Sequence, residues 1–167
     1  MSNPKPIVLV DTMIIFEAHR TGCWASLTGS YDIRTVEKVL EEALRGRKNR
    51  EGYIEVNAED FGTKVIVETV TELQLLQAFI ENEQLAYLDD GEKHLLTHLL
   101  SFDRSTSEFQ VSTADKAAIH AACRLGLTDH LVALEELVRT GTLQIALKSQ
   151  YTRSFLSAEK TKFLLNA

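Results

Sequence analysis

The chain opens on an unbroken apolar run, Ile7-Val8-Leu9-Val10, that stops at Asp11. A short aliphatic run without alternation describes a strand buried on both faces, the habit of a parallel sheet. Over residues 13–24 the pattern changes to a mixed apolar stripe (Ile14, Ile15, Ala18, Trp24), so one helix is expected to start beside Asp11. A second helix is expected from about Thr35 to Leu44, with Val36, Val39, Leu40 and Ala43 at helical spacing and Gly46 as its stop. Residues 51–62 are polar and irregular, with a short strand at 53–56, and residues 64–67 read as a further strand. After Thr71 a helix carries Leu73, Leu76, Phe79 and Ile80 on one face. Asp89-Asp90-Gly91-Glu92 leads into another, carrying Leu95, Leu96, Leu99 and Leu100. Residues 108–112 read as a strand, followed by an alanine-rich helix over 114–125 that Gly126 closes. Helical patterns over 129–139 and near the C-terminus complete the chain, and residues 148–167 are expected to pack on the domain through Phe155, Phe163, Leu164 and Leu165. Strands alternating with helices, without linker or repeat, predict one α/β domain over residues 1–167. It is expected to be a three-layer αβα sandwich with a mainly parallel central sheet.

Composition narrows the classes. Hydrophobic residues make up 44% of the 167, enough to fill a core, and 8 Gly with 2 Pro exclude a collagenous or low-complexity chain. The formal charge of −6 speaks against a broad electrostatic grip on nucleic acid. It leaves room for an acidic site that meets a phosphate through a metal ion. Cys23 and Cys123 lie too far apart in sequence for a disulfide framework or zinc knuckle, and are expected to be buried thiols in a reducing compartment. The first six residues lack the features of a signal peptide, and no apolar run approaches the roughly 18 residues of a membrane span. A cytoplasmic protein without membrane contact is expected.

Ligands of an open parallel sheet gather at the C-terminal ends of its strands. Asp11 ends the first strand, Asp115 lies just past Val111-Ser112, and Glu92 sits in the first turn of a helix after a glycine turn. A fourth carboxylate is available from Glu37, Glu41 or Glu42. Carboxylates gathered in this way repel one another, and a cation relieves that; hard oxygen donors select Mg²⁺ or Mn²⁺. Such an ion holds a phosphodiester oxygen and activates water, the logic of a metal-dependent nuclease. Each acid also has a purely structural use, because a carboxylate in a first helical turn stabilises it by about 0.3–1 kcal/mol. Asp89 and Asp90 fit the turn and helix start. His94 and His98 are four apart but lack the HExxH pattern, so they read as a surface or half-buried pair. Arg45, Arg47, Lys48 and Arg50 fit a solvated helix end. Neither GxGxxG nor a Walker A loop occurs, and Asp11-Thr12-Met13 lacks the Asp-x-Asp of haloacid-dehalogenase-type phosphotransferases.

Three stretches, Val8-Leu9-Val10-Asp11-Thr12, Leu88-Asp89-Asp90-Gly91-Glu92 and Val111-Ser112-Thr113-Ala114-Asp115-Lys116, together resemble the PIN-domain family. The resemblance runs from Pro6 to about Leu127. The family comprises metal-dependent ribonucleases, many of them toxins of bacterial toxin–antitoxin pairs. The resemblance implies a metal-dependent endoribonuclease for single-stranded RNA, with catalytic acids Asp11, Glu42, Glu92 and Asp115. Of these, Asp11, Glu92 and Asp115 would be ligands of Mg²⁺ or Mn²⁺, and Thr12 and Thr113 would be hydroxyl neighbours that orient substrate. Glu42 is chosen because Glu42-Ala43-Leu44-Arg45-Gly46 resembles the family's second motif, with Glu37 or Glu41 as alternatives. Arg45, Arg47, Lys48, Lys116 and Arg124 are the basic groups expected near RNA. Met13 departs from the family, which usually has a small polar residue there. A toxin would have an antitoxin partner, and homodimers are common in the family. The competing expectation is a PIN-fold protein that binds RNA or a partner with little or no catalysis.

Overall fold

The structure is a computed structural model that describes residues 3–45, 58–103, 105, 108–138 and 146–167. Within them the strands β1 (Ile7–Val10), β2 (Asp32–Val36), β3 (Val65–Glu68) and β4 (Phe109–Ser112) form one all-parallel sheet in the order β3-β2-β1-β4. β1 is central: Val8 pairs with Ile33 on one side and Gln110 on the other. Three consecutive β1 residues, Val8, Leu9 and Val10, are each 0% exposed. Adjacent strand residues point to opposite faces, so both faces of the sheet are covered. This is the expected α/β sandwich, helices outside and a parallel sheet within. At the edge, β3 leaves Ile66 exposed.

The helix expected over residues 13–24 is two: α1 (Thr12–Arg20) and α2 (Trp24–Ser30). The chain turns between them at Gly22, whose φ of +73° lies where a side chain is strained. Ile14, Ile15, Ala18, Cys23 and Trp24 all enter the same core, so the apolar pattern runs on through the break. The helix expected from Thr35 begins late, because Thr35 and Val36 end β2 and α3 covers Glu37–Arg45. Thr35 is wholly buried, and its hydroxyl donates to the Val10 carbonyl at 2.7 Å, tying β2 to β1. Gly46 and the strand expected at 53–56 lie outside the described residues. Part of the stretch expected to be irregular is helical, in α4 (Ala58–Lys64).

α5 (Glu72–Glu81) starts at a capping box between Thr71 and Gln74. Its apolar stripe does not face the core as a unit: Phe79 packs inward, whereas Leu73, Leu76 and Ile80 are exposed. α6 (Asp90–Leu99) buries Leu95, Leu96 and Leu99 as its pattern predicts. α7 (Lys116–Arg124) is closed by Gly126 at φ +75°. Over residues 129–139, α-helix is confined to the single turn α8 (Leu134–Leu137). α9 (Arg153–Asn166) packs on the domain, its buried face anchored by Leu156, with Phe155 and Phe163 also packed on the core. Leu164 and Leu165, expected to share in that packing, are exposed. Cys23 and Cys123 are buried free thiols. Among the described residues no helix is long and apolar enough to cross a membrane.

Candidate functional site

β1 continues through α1 and α2 to β2 on one side, while β4, entered from the far edge, lies on the other. The chain therefore leaves β1 and β4 in different directions at their C-terminal ends, the switch point where parallel sheets open a crevice. Asp11 and Asp115 stand on its two sides, each as an N-cap. Asp11 Oδ1 accepts the Ile14 N–H at 2.9 Å, and Asp115 Oδ1 accepts the Ala118 N–H at 3.0 Å. Thr113 joins them: its hydroxyl donates to Asp11 Oδ2 and accepts the Asp115 N–H at 3.2 Å. Asp11 is consequently only 4% exposed.

α3 packs against α1 and α6 and brings Glu42 to the same edge. Glu42 Oε2 accepts the Thr12 hydroxyl at 3.1 Å, and its Oε1 accepts the Gly91 N–H at 3.0 Å. One carboxylate thus fastens the first residue of α1 to the first turn of α6. Glu37 instead accepts from Thr69 at 2.8 Å, and Glu41 pairs with Lys38 and Arg45. Of the three glutamates, Glu42 is the one that lines the cleft, a space of about 30 Å³ between Asp11, Thr12, Met13, Glu42, Gly91 and Glu92. That volume suits one water or one ion. Asp89 and Val39 complete the lining; Asp115 is not part of it and stands beside Asp11 on the far side of Thr113.

Two contributors escaped the sequence reading. Asp89 occupies the N-cap of α6, yet its side chain makes no capping bond and lines the cleft instead. Gly91 looks in sequence like a turn glycine and nothing more. A Cβ there would stand 2.6 Å from Glu42 Oε2, so the close approach of Glu42 depends on glycine. The missing cap bond leaves no trace in sequence, and the Gly91–Glu42 contact spans forty-nine positions.

Burial raises the Asp11 carboxyl to about 6, helped by the nearby charge of Asp115 and opposed by the bonds from Thr113 and Ile14. Glu92 is pushed further, to about 8, by burial and then by the charges of Asp115, Asp11 and Asp89. Four acids therefore share one electrostatic neighbourhood, and Glu92 holds a proton at neutral pH when no cation compensates. The donor set is hard oxygen, the chemistry of Mg²⁺ or Mn²⁺. Among the described residues, however, no group of three or more His, Cys, Asp or Glu side chains forms a ready ligand cage. The donor chemistry fits a divalent cation, while Glu42 and Asp11 keep oxygens engaged in internal hydrogen bonds.

His94 and His98 are half-buried on α6, one of the two placements expected. Burial lowers both, and His98 packs edge-on against Phe102 with centroids 5.2 Å apart. Arg45 is exposed beside Glu41, and Arg47, Lys48 and Arg50 lie outside the described residues. No family model matches the chain and no curated protein matches it, so the reading of this cleft rests on its own geometry.

Proposed function

We propose that the chain is a metal-dependent endoribonuclease that cleaves single-stranded RNA at the cleft of Asp11, Glu42 and Glu92, with Asp115 beside it across Thr113. The observation that carries this reading is geometric: Asp11 and Asp115, joined through Thr113, stand at the switch point of a parallel sheet beside Glu92, and each carboxyl that is shifted there is shifted up by burial and by its acidic neighbours. Asp11, Glu92 and Asp115 are the residues that would hold Mg²⁺ or Mn²⁺. When bound, the ion supplies Lewis-acid activation of water and neutralisation of phosphodiester charge.

The chain's own groups do the positioning. Thr113 and the Ile14 N–H hold the two oxygens of Asp11 in fixed directions, and Thr12 with Gly91 does the same for Glu42. Glu92 lines the cleft and is the carboxyl best placed to orient the attacking water. Single-stranded RNA suits a small cleft that has no device for gripping a duplex. The cytoplasm is the compartment we assign, since it supplies RNA and keeps Cys23 and Cys123 reduced.

One observation favours the second reading, a PIN-fold protein that binds RNA or a partner with little or no catalysis: the carboxylates do not close into a cage. A toxin role would add an antitoxin whose Arg or Lys enters the acidic cleft, and homodimerisation belongs to the same proposal. The deciding experiment is cleavage of a labelled single-stranded RNA with Mn²⁺, with EDTA, and with Asp115→Asn. Metal-dependent cleavage lost in the variant is the expected result. No cleavage, together with no stabilisation by Mn²⁺, would overturn the nuclease in favour of the binding protein.

A further inference from the structure

Lys116, His120 and Arg124 recur every four residues along α7, beginning at the residue after Asp115. Phe155, Glu159 and Phe163 recur with the same spacing along α9. The two helices lie side by side in register. Lys116 Nζ stands 5.9 Å from the centre of the Phe155 ring, and the Arg124 guanidinium 6.0 Å from that of Phe163. Between them, His120 Nε2 meets Glu159 Oε2 at 3.1 Å. Glu159 is only 2% exposed and also accepts Lys162 Nζ at 2.8 Å, so its charge is used inside the ridge. Lys116, Arg124 and Lys162 remain exposed on the outside.

The result is a cationic, aromatic-interleaved ridge on a chain whose formal charge is −6. It starts at the residue after Asp115, the N-cap that Thr113 ties to Asp11, and runs about 12 Å along α7, eight residues at the helical rise. Surface lysines scattered for solubility do not alternate in register with two half-buried phenylalanines. Cationic side chains beside aromatic rings are the combination that holds single strands: phosphates meet the charges, and bases stack on the rings.

We propose that the α7–α9 ridge is the track that carries single-stranded RNA to the cleft, with Lys116, Arg124 and Lys162 on phosphates and Phe155 and Phe163 under bases. The proposal rests on RNA being the substrate of the cleft. It assigns affinity to a surface separate from the carboxylates, and that makes the two separable.

The test is fluorescence anisotropy of a labelled 12-nucleotide oligouridine in EDTA and low salt, where no cleavage intrudes. Lys116→Glu with Arg124→Glu is expected to weaken binding at least tenfold. Lys116→Ala with Arg124→Ala, checked for an unchanged melting temperature, is expected to flatten the slope of log affinity against log salt by about 1.4, roughly 0.7 for each lost phosphate contact. Phe163→Leu is expected to weaken binding about tenfold while leaving that slope in place. Undetectable binding by the wild type, or equal affinity and slope in the variants, would overturn the ridge. So would loss of phosphatidylserine-vesicle binding in the variants with RNA binding intact. Hydrolysis of bis(p-nitrophenyl) phosphate by the wild type with Mn²⁺ probes the cleft alone. Ridge-dependent RNA binding without that hydrolysis would defeat the nuclease and, with it, a track to the cleft, leaving the ridge as an RNA-binding surface alone, whereas hydrolysis with ridge-indifferent binding would overturn the ridge and leave the nuclease.

Discussion

Gly91 concentrates the cleft's geometry in one missing side chain. A methyl group there meets the Glu42 carboxylate at 2.6 Å, and that carboxylate is the far end of a flexible side chain. Glu42 can therefore swing aside with little backbone strain, at the loss of its bonds from Thr12 and Gly91. Gly91→Ala is expected to reduce stability by about 1–3 kcal/mol, two hydrogen bonds to a carboxylate less the roughly 1 kcal/mol that alanine gains in a helix, and RNA cleavage at least tenfold. Adding Glu42→Ala to Gly91→Ala should then lower activity little beyond Glu42→Ala alone; additive losses would detach Gly91 from Glu42. Thr113 makes a different case, because its hydroxyl serves a buried carboxyl. Thr113→Val removes that donor while keeping shape, and is expected to cost about 1–3 kcal/mol in urea denaturation. Asp11 and Asp115 are legible in sequence because each follows a stretch that reads as a strand, whereas Thr113 is singled out by the family resemblance alone. Gly91 and Asp89 are not legible, because their roles depend on what another element brings opposite them.

The same distinction holds for whole elements. β1, β4, α6 and α7 were read directly, since their periods are clean and their ends carry Asp, Gly or both. β2 is missed in sequence: nothing is read at residues 32–34, and its last two residues fall into the expected helix because Val36, Val39, Leu40 and Ala43 fit helical spacing. What fixes Thr35 in the sheet is its hydroxyl bond to the Val10 carbonyl, a contact twenty-five positions away. α1 hides a second such tie. Glu17, 3% exposed, accepts two bonds from Arg20 and one from the Lys148 N–H at 3.0 Å, while Arg20 also donates to the Ala146 carbonyl at 2.8 Å. One carboxylate thus pins the start of the C-terminal region to α1. Burial alone would raise Glu17, but the bonds from Arg20 and Lys148 outweigh it and hold it below its ordinary 4.5. The folded state therefore prefers the carboxylate. Its contribution is present above about pH 4.5 and is lost as pH falls through the lowered value. Glu17→Gln is expected to cost about 2 kcal/mol at pH 7 and to flatten the fall in the urea midpoint below pH 4.5. An acid limb equally steep in the variant would assign it to other carboxylates.

Across the whole molecule, charge is sorted rather than spread: a repelling acidic cleft at the end of the sheet, a cationic ridge leading away from it. The acidic cleft makes the protein less stable than its core alone would, and that deficit is the quantity a cation should recover. Saturating Mn²⁺ at about a hundredfold over its Kd adds roughly 2.7 kcal/mol to a protein that binds it only when folded. In a chain of 167 residues each kcal/mol moves the melting temperature by about 2–4 °C, so a rise of roughly 5–10 °C is expected. Asp115→Asn should remove most of that rise, because Asp115 contributes charge to both Asp11 and Glu92. Glu92→Gln discriminates more sharply. It keeps the size of the side chain and removes the acid under greatest pressure from its neighbours, so in EDTA its melting temperature should match or exceed that of the wild type. In Mn²⁺ the order should reverse. A Glu92→Gln protein that is less stable than wild type in EDTA and gains as much from Mn²⁺ would mean that Glu92 is a structural acid and that the ion, if bound, is held elsewhere.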